Sequence, residues 1–202
     1  MEEQLLVINE KDEIIGIDGR EKCHAGDGLL HRAIADFIFN DEGELLIAQR
    51  SKLKKLWPES WDCSCCTHVY PYAKRGSTPL AQEIDSLHYY GMGGYPCETY
   101  EEAGERRLPF ELGLSCELKY LTKFQYQIRF DEVSSENEIC AILIGKYSGE
   151  VKPNPDEVAN YKWISTEELK KDMQNNPDKY TPWFLIAFEK YLNLKNTKES
   201  KK

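Results

Sequence analysis

The sequence predicts a mixed α/β fold of the α+β kind, with strands and helices packed as layers. Three observations carry this. Paired apolar runs joined by polar turns open the chain, a capping-box helix start stands at Thr99 to Glu102, and two alternating segments precede two helical stretches at the end. With 41% hydrophobic and 30% charged residues, a chain of 202 residues can bury one substantial core.

Taken in order, Gln4 to Asn9 and Ile14 to Ile17, joined by the polar run Glu10 to Glu13, predict a hairpin. Asp18 to Leu30, with Gly19, Gly26 and Gly28, reads as a loop carrying Arg20, Lys22, Cys23 and His24. Arg32 to Phe39 and Leu45 to Arg50 flank Asn40-Asp41-Glu42-Gly43 and predict a second hairpin, with His31 at its entrance. Ser51 to Ser60, basic and broken by Pro58, predicts a connecting loop. Val69 to Cys97 reads as an irregular insert with a candidate helix over Leu80 to Tyr90 and a surface His88. From Thr99 a helix should run to about Leu112 and stop at Gly113. Pro109 weakens it, since a missing donor in a helix interior costs about 3 kcal/mol. Lys119 to Phe130 and Glu138 to Tyr147 predict strands, and Trp163 ends a short one. Thr166 begins a helix and Trp183 to Leu194 forms a final amphipathic helix. The expectation is a single domain over 1–194, an insert at about 69–97 and a solvated tail over 195–202.

A formal charge of −9 argues against a nucleic-acid or anionic-membrane surface, because the whole-protein field repels polyanions. No apolar run approaches the roughly 20 residues that cross a bilayer, so no membrane insertion is expected. The seven cysteines are odd in number, and Met1-Glu2-Glu3-Gln4 lacks a basic n-region, which together point to a reducing cytoplasm. The expected state is a monomer or homodimer.

Chemistry concentrates in Trp61-Asp62-Cys63-Ser64-Cys65-Cys66-Thr67-His68. In an extended segment, side chains two apart point the same way, so Cys66 and His68 would face one pocket. The bland alternative makes the cysteines buried small hydrophobes and His68 a surface residue. His24, His31 and His68 at loop positions or strand ends, with Glu136 and Glu138 two apart, are a plausible five-ligand set for a divalent ion with one position open. The same residues, taken one by one, suit a solvated surface. A basic group of Arg20 or Lys22, Arg50, Lys54, Arg106 and Arg107 offers a small polyanion local positive charge in an acidic protein.

Arg106-Arg107-Leu108-Pro109-Phe110-Glu111-Leu112-Gly113-Leu114 is similar to the helix end of the Nudix box, in the variant of type 1 isopentenyl-diphosphate isomerases. There a basic and an aromatic residue, here Arg107 and Phe110, replace two glutamates of ordinary Nudix hydrolases. The resemblance extends over His24…His31, Gln49-Arg50-Ser51, Lys54-Lys55-Leu56-Trp57-Pro58, Cys65-Cys66-Thr67-His68, Tyr126, Glu136-Asn137-Glu138 and Pro182-Trp183, which spans most of the chain. It implies a Nudix-like mixed β-sheet sandwiched between helices and an enzyme of isoprenoid biosynthesis. By resemblance, His24, His31, His68, Glu136 and Glu138 would hold one transition metal, Mn²⁺ or Zn²⁺. Cys66 and Glu138 would be the acid/base groups on opposite faces of isopentenyl or dimethylallyl diphosphate, with Tyr126 bonded to Glu138. Glu111 would bind a Mg²⁺ that travels with the diphosphate. Arg20, Arg50, Lys54 and Arg107 would contact the diphosphate, and Trp183, with Trp57 or Trp61, would wall the hydrocarbon pocket. The alternatives are a Nudix diphosphohydrolase and a metal- or ligand-binding module without turnover.

Overall fold

The computed structural model describes residues 2–72 and 97–199. Most of the expected insert, including the candidate helix Leu80 to Tyr90 and His88, lies outside the described residues.

A long buried strand organises the sheet. β3 (His31–Phe39) alternates its side chains so that Ile34 and Ile38 face one core while Ala33, Ala35 and Phe37 face another. A strand covered on both faces reads as a continuous apolar run, and nearly every residue of β3 is buried. Along one edge β3 pairs in parallel with β8 (Ser135–Lys146), from His31↔Glu138 to Phe39↔Lys146. Its other edge is shared by β1 (Gln4–Ile8), by β6 (Cys65–His68) across Ala33↔His68 to Asp36↔Cys65, and by the start of β4 (Leu45–Arg50). β2 (Ile14–Gly19) completes the first hairpin with β1. β7 (Leu118–Arg129) pairs antiparallel with β8, and β4 carries the short β5 (Trp61–Asp62) and β9 (Val158–Ile164).

Helices cover both faces. Ala103, Leu108 and Leu112 of α2 (Tyr100–Leu112) pack in one core with Leu6, Ile34, Ala141 and Leu143. On the other side, Phe184, Ala187 and Phe188 of α4 (Pro182–Glu199) pack with Ala35, Phe37 and Ile142, next to α3 (Thr166–Asn175). A single turn, α1 (Arg20–Cys23), follows β2. No helix among the described residues is long and apolar enough to cross a membrane.

The capping box forms as expected: Thr99 Oγ1 accepts from Glu102 N at 3.1 Å and Glu102 Oε2 accepts from Thr99 N at 2.7 Å. Pro109 is tolerated because it stands near the end of α2, where its carbonyl still accepts from Gly113 N at 3.2 Å. Gly113 takes the left-handed conformation, φ 64°, and a Cβ there would lie 2.5 Å from Lys152 O. Only glycine fits.

Three expectations are corrected. The loop Asp18 to Leu30 begins inside a strand, since Gly19 pairs with Gln4, and continues as α1. The second hairpin is no hairpin: β3 and β4 meet at the single pair Phe39↔Leu45, because β6 occupies the middle of that edge and β4 turns away to β5 and β9. The tail expected over 195–202 is helical to Glu199, where good helix formers extend α4.

Asp36 stands out in the core. It is fully buried, and neither carboxylate oxygen has a hydrogen-bond partner among the described residues. Gly104 of α2 makes room for it, since a Cβ at 104 would lie 2.8 Å from Asp36 Oδ1. Burial, then the charges of Glu111 and Glu105, push its carboxyl well above the ordinary range. A carboxyl raised in the folded state leaves the native protein binding more protons than the unfolded chain above about pH 4, so its stability contribution falls as pH rises. Asp36→Ser is therefore expected to raise stability at neutral pH by about 1–3 kcal/mol, with a smaller gain near pH 4. Thermal unfolding at both pH values checks this; a lowered Tm at neutral pH would show that the carboxylate has a stabilising partner.

Candidate active site

Five side chains from four chain segments converge at one end of β3. Parallel register sets His31 beside Glu138, and β6 sets His68 opposite Ala33. Glu136 and Glu138, two apart on β8, share a face, and His24 follows α1. One ligand atom from each of the five lies within 4.8 Å of all the others. His24 Nε2 is 3.0 Å from Glu136 Oε2, while His31 Nε2 and His68 Nε2 are 3.2 and 3.3 Å from Glu138 Oε1.

The tautomers decide what the cluster is for. His24 Nδ1 is 2.7 Å from Arg20 O and His31 Nδ1 is 2.7 Å from Leu29 O. A carbonyl only accepts, so each Nδ1 carries a hydrogen, and the Nε2 atoms, which point inward, are the positions left to hold a cation. Among the described residues, His24 Nε2, His31 Nε2 and Glu136 Oε2 are all buried without a hydrogen-bond partner. Lone pairs and carboxylates facing one another in a buried space suit a cation between them, with the Nδ1 bonds fixing ring orientation. Protons alone serve poorly here. Burial above all, with His31 and His24 alongside, lowers His68 to about 3, so this ring stays neutral. Burial and the charge of Glu138 push Glu136 up, whereas at Glu138 burial pushes up but the His31 and His68 rings beside it outweigh burial and hold the carboxyl low. The donor set of three imidazoles and two carboxylates fits a divalent ion.

Next to this cluster opens a cleft of about 490 Å³ whose lining includes Cys66, His68, Tyr126, Glu138 and Trp183. Cys66 pairs with Ala35, so it shares the face of His68 as the two-residue spacing predicts. Burial first, with the charge of Asp62 nearby, pushes its thiol up to about 12. Tyr126 Oη donates to Glu138 Oε2 at 2.5 Å. The indole of Trp183 stacks on Tyr126 at 6.3 Å and meets Trp57 edge-on at 5.1 Å. Trp61 instead lies under Lys162 Nζ at 4.9 Å, and Trp57 backs Trp183, which is the tryptophan that lines the cleft among the described residues.

The lining of the same cleft is also basic, with Arg20, Arg50, Lys54, Lys55 and Arg107. Lys54 and Arg107 share Glu111 and Glu157 in one network: Lys54 Nζ to Glu111 Oε1 at 2.9 Å, Arg107 Nη2 to Glu111 Oε1 at 2.8 Å and to Glu157 Oε2 at 2.9 Å, with Lys54 also bonded to Glu157. Glu111 thus belongs to this basic network and not to the five-ligand cluster, and it is buried in a small pocket shared with Lys54, Cys65 and Cys66. Arg20 also lines the cleft, near Glu3, whereas Lys22 is exposed and bonded to Asp18. Arg50 anchors the 51–60 loop through Trp57 O and Leu56 O at 3.0 and 2.8 Å, and it covers Trp183 at 5.3 Å. Arg106 does not line the cleft; it pairs with Glu98, lies over Tyr70 and donates from Nη2 to His68 O at 3.0 Å.

Two residues escaped the sequence reasoning. Asp62 accepts from Trp183 Nε1 at 2.9 Å, Thr181 Oγ1 at 3.0 Å, Arg50 Nη1 at 3.3 Å and Cys66 Sγ at 3.5 Å. It was the sole carboxylate of the cysteine-rich octapeptide, which is a usable signal, but its partners lie up to 121 positions away. Glu157, between Pro155 and β9, carried no signal at all.

Residues 29–184 match the NUDIX domain family model. The chain is 34% identical to isopentenyl-diphosphate Delta-isomerase 1 of Mesocricetus auratus, over 94% of this chain and 82% of that protein. It is 32% identical to the isopentenyl-diphosphate Delta-isomerase of Burkholderia multivorans, over 94% and 93%. Among solved structures it resembles DR0079 of Deinococcus radiodurans, with a TM-score of 0.59 at 20% identity over 86% of this chain and 90% of that one. A MutT protein of Methanosarcina mazei follows, with a TM-score of 0.56 at 18% identity over 83% and 95%.

Proposed function

The chain belongs to the Nudix family, and from that premise we propose that it is an isopentenyl-diphosphate isomerase, interconverting isopentenyl and dimethylallyl diphosphate. One observation supports this most: a thiol and a carboxyl, Cys66 and Glu138, line the same cleft between an aromatic wall and a basic mouth.

The chemistry asks little else of the chain. One of the pair gives a proton to the terminal alkene carbon, which leaves a tertiary cation. The other removes a proton from the carbon on the far side of that centre, so the double bond moves inward and the proton count balances. The reverse direction exchanges the roles. Tyr126 orients the Glu138 carboxyl through its hydroxyl. Trp183, steered by Asp62, offers a π-face worth about 2 kcal/mol or more to a desolvated cation without a nucleophile to trap it. Trp57 and Trp183 keep water from the cation, which would otherwise become an alcohol.

His24, His31, His68, Glu136 and Glu138 would hold a divalent ion, Mn²⁺ or Zn²⁺, and when bound it supplies positive charge that tunes the acidity of Glu138. Lys54, Arg107, Arg20 and Arg50 would bind the diphosphate, and Glu111 would meet its Mg²⁺. The substrate set is thus a small diphosphate, in a monomeric or homodimeric cytoplasmic enzyme.

Incubation with isopentenyl diphosphate and Mg²⁺ should yield the acid-labile allylic product without free phosphate. Phosphate release in place of the allylic product would make the chain a diphosphohydrolase. Neither product would leave a binding module.

A further inference from the structure

Cys66 has a second thiol beside it. Cys63 Sγ lies 3.1 Å from Cys66 Sγ, and both are free. The segment between them is pinned: Ser64 Oγ donates to Leu46 O at 2.7 Å and accepts from Ile38 N at 2.9 Å. Cys65 points to the opposite face, toward Glu111 Oε2 at 3.5 Å. Cys63 is fully buried, whereas Cys66 lines the cleft and is reached from it.

We propose that Cys63 and Cys66 form a reversible oxidation site, in which the Cys66 sulfur attacks a hydroperoxide entering the cleft and Cys63 resolves the product as a disulfide. In the first step the Cys66 sulfur displaces one peroxide oxygen. An S–O bond forms, the O–O bond breaks, and water or an alcohol leaves with the thiol proton; sulfur is oxidised and the peroxide reduced. In the second, the Cys63 sulfur attacks the sulfenic sulfur. An S–S bond forms, the S–O bond breaks, and hydroxide leaves as water with the Cys63 proton. The sulfurs must close by about 1 Å to bond, a movement within reach of side-chain rotation in a segment that already holds them together. A dithiol reductant reopens the bond. Its effect on turnover rests on the role proposed above for Cys66; its formation does not.

Full-length protein treated with hydrogen peroxide, alkylated and digested tests this directly. The peptide holding residues 63–66 should lose two hydrogens and carry its one alkyl group on Cys65, and dithiothreitol should restore three alkylatable thiols. Cys63→Ser should abolish that species and drive Cys66 to sulfinic acid, which dithiothreitol does not reverse; Cys63→Ala substitutes if the serine variant does not fold. Alkylation of Cys63 in the oxidised wild type, or the same reversible loss of two hydrogens in Cys63→Ser, overturns the proposal. A disulfide that leaves isomerisation unchanged would refute the catalytic role of Cys66 and leave the oxidation site standing.

Discussion

Cys66→Ala is expected to lower kcat for isomerisation by about 10³-fold or more, with KM changed by less than about 3-fold. The thiol's side-chain partners are Cys63 and Asp62, and it bonds to no member of the Lys54, Arg107, Glu111 and Glu157 network that would meet the charged end of the substrate, among the described residues. Its deletion therefore removes a proton carrier and leaves ground-state binding in place. Folding should survive, because a partly buried sulfur at the cleft wall leaves a space open to solvent and not a sealed cavity; Tm should stay within about 3 °C of wild type. Steady-state kinetics and thermal unfolding of the same preparation test both halves. A kcat within tenfold of wild type would show that another group moves the proton.

The second large effect concerns the five-ligand cluster. Chelator-treated protein given Mn²⁺ or Zn²⁺ should take up one ion per chain at the cluster and rise in Tm by about 5–10 °C, the shift expected for a ligand at about a hundred times its dissociation constant in a chain of this size. The stabilisation has an electrostatic origin. Without an ion, Glu136 and Glu138 repel each other in a buried space and the inward nitrogens of His24 and His31 face oxygen atoms. His31→Gln, which trades an imidazole for an amide at the buried start of β3, should remove most of the rise. An equal Tm rise in that variant would place the bound ion elsewhere. Element analysis of the protein before and after chelation reads the stoichiometry independently of turnover.

The difference between what the sequence revealed and what it hid follows chain distance. Cys66 and His68 could be placed on one face because a strand period of two is a local property, and Glu136 and Glu138 follow by the same rule. The capping box and Gly113 were legible because Thr99, Glu102 and Gly113 act on backbone within a few residues. The false hairpin at Asn40 to Gly43 shows the limit. Its turn is genuine, yet whether β4 stays beside β3 depends on β6, a competitor for the same edge that local pattern does not reveal. Asp62 and Glu157 were missed for the same reason, since a carboxylate declares its role through partners brought by the fold. Placing the metal, acid/base and anion-binding residues before the fold was known depended on the resemblance, because spacing alone also suited a solvated surface.

The mouth network has a consequence for selectivity. Lys54 and Arg107 already rest against Glu111 and Glu157, so an arriving anion must outcompete two carboxylates for them. A lone monophosphate exchanges like for like and gains little. On the proposed reading, a diphosphate escorted by its own divalent counter-ion would claim both cations while handing Glu111 a replacement, so the network would act as a charge-counting latch favouring the doubly phosphorylated head over simpler esters.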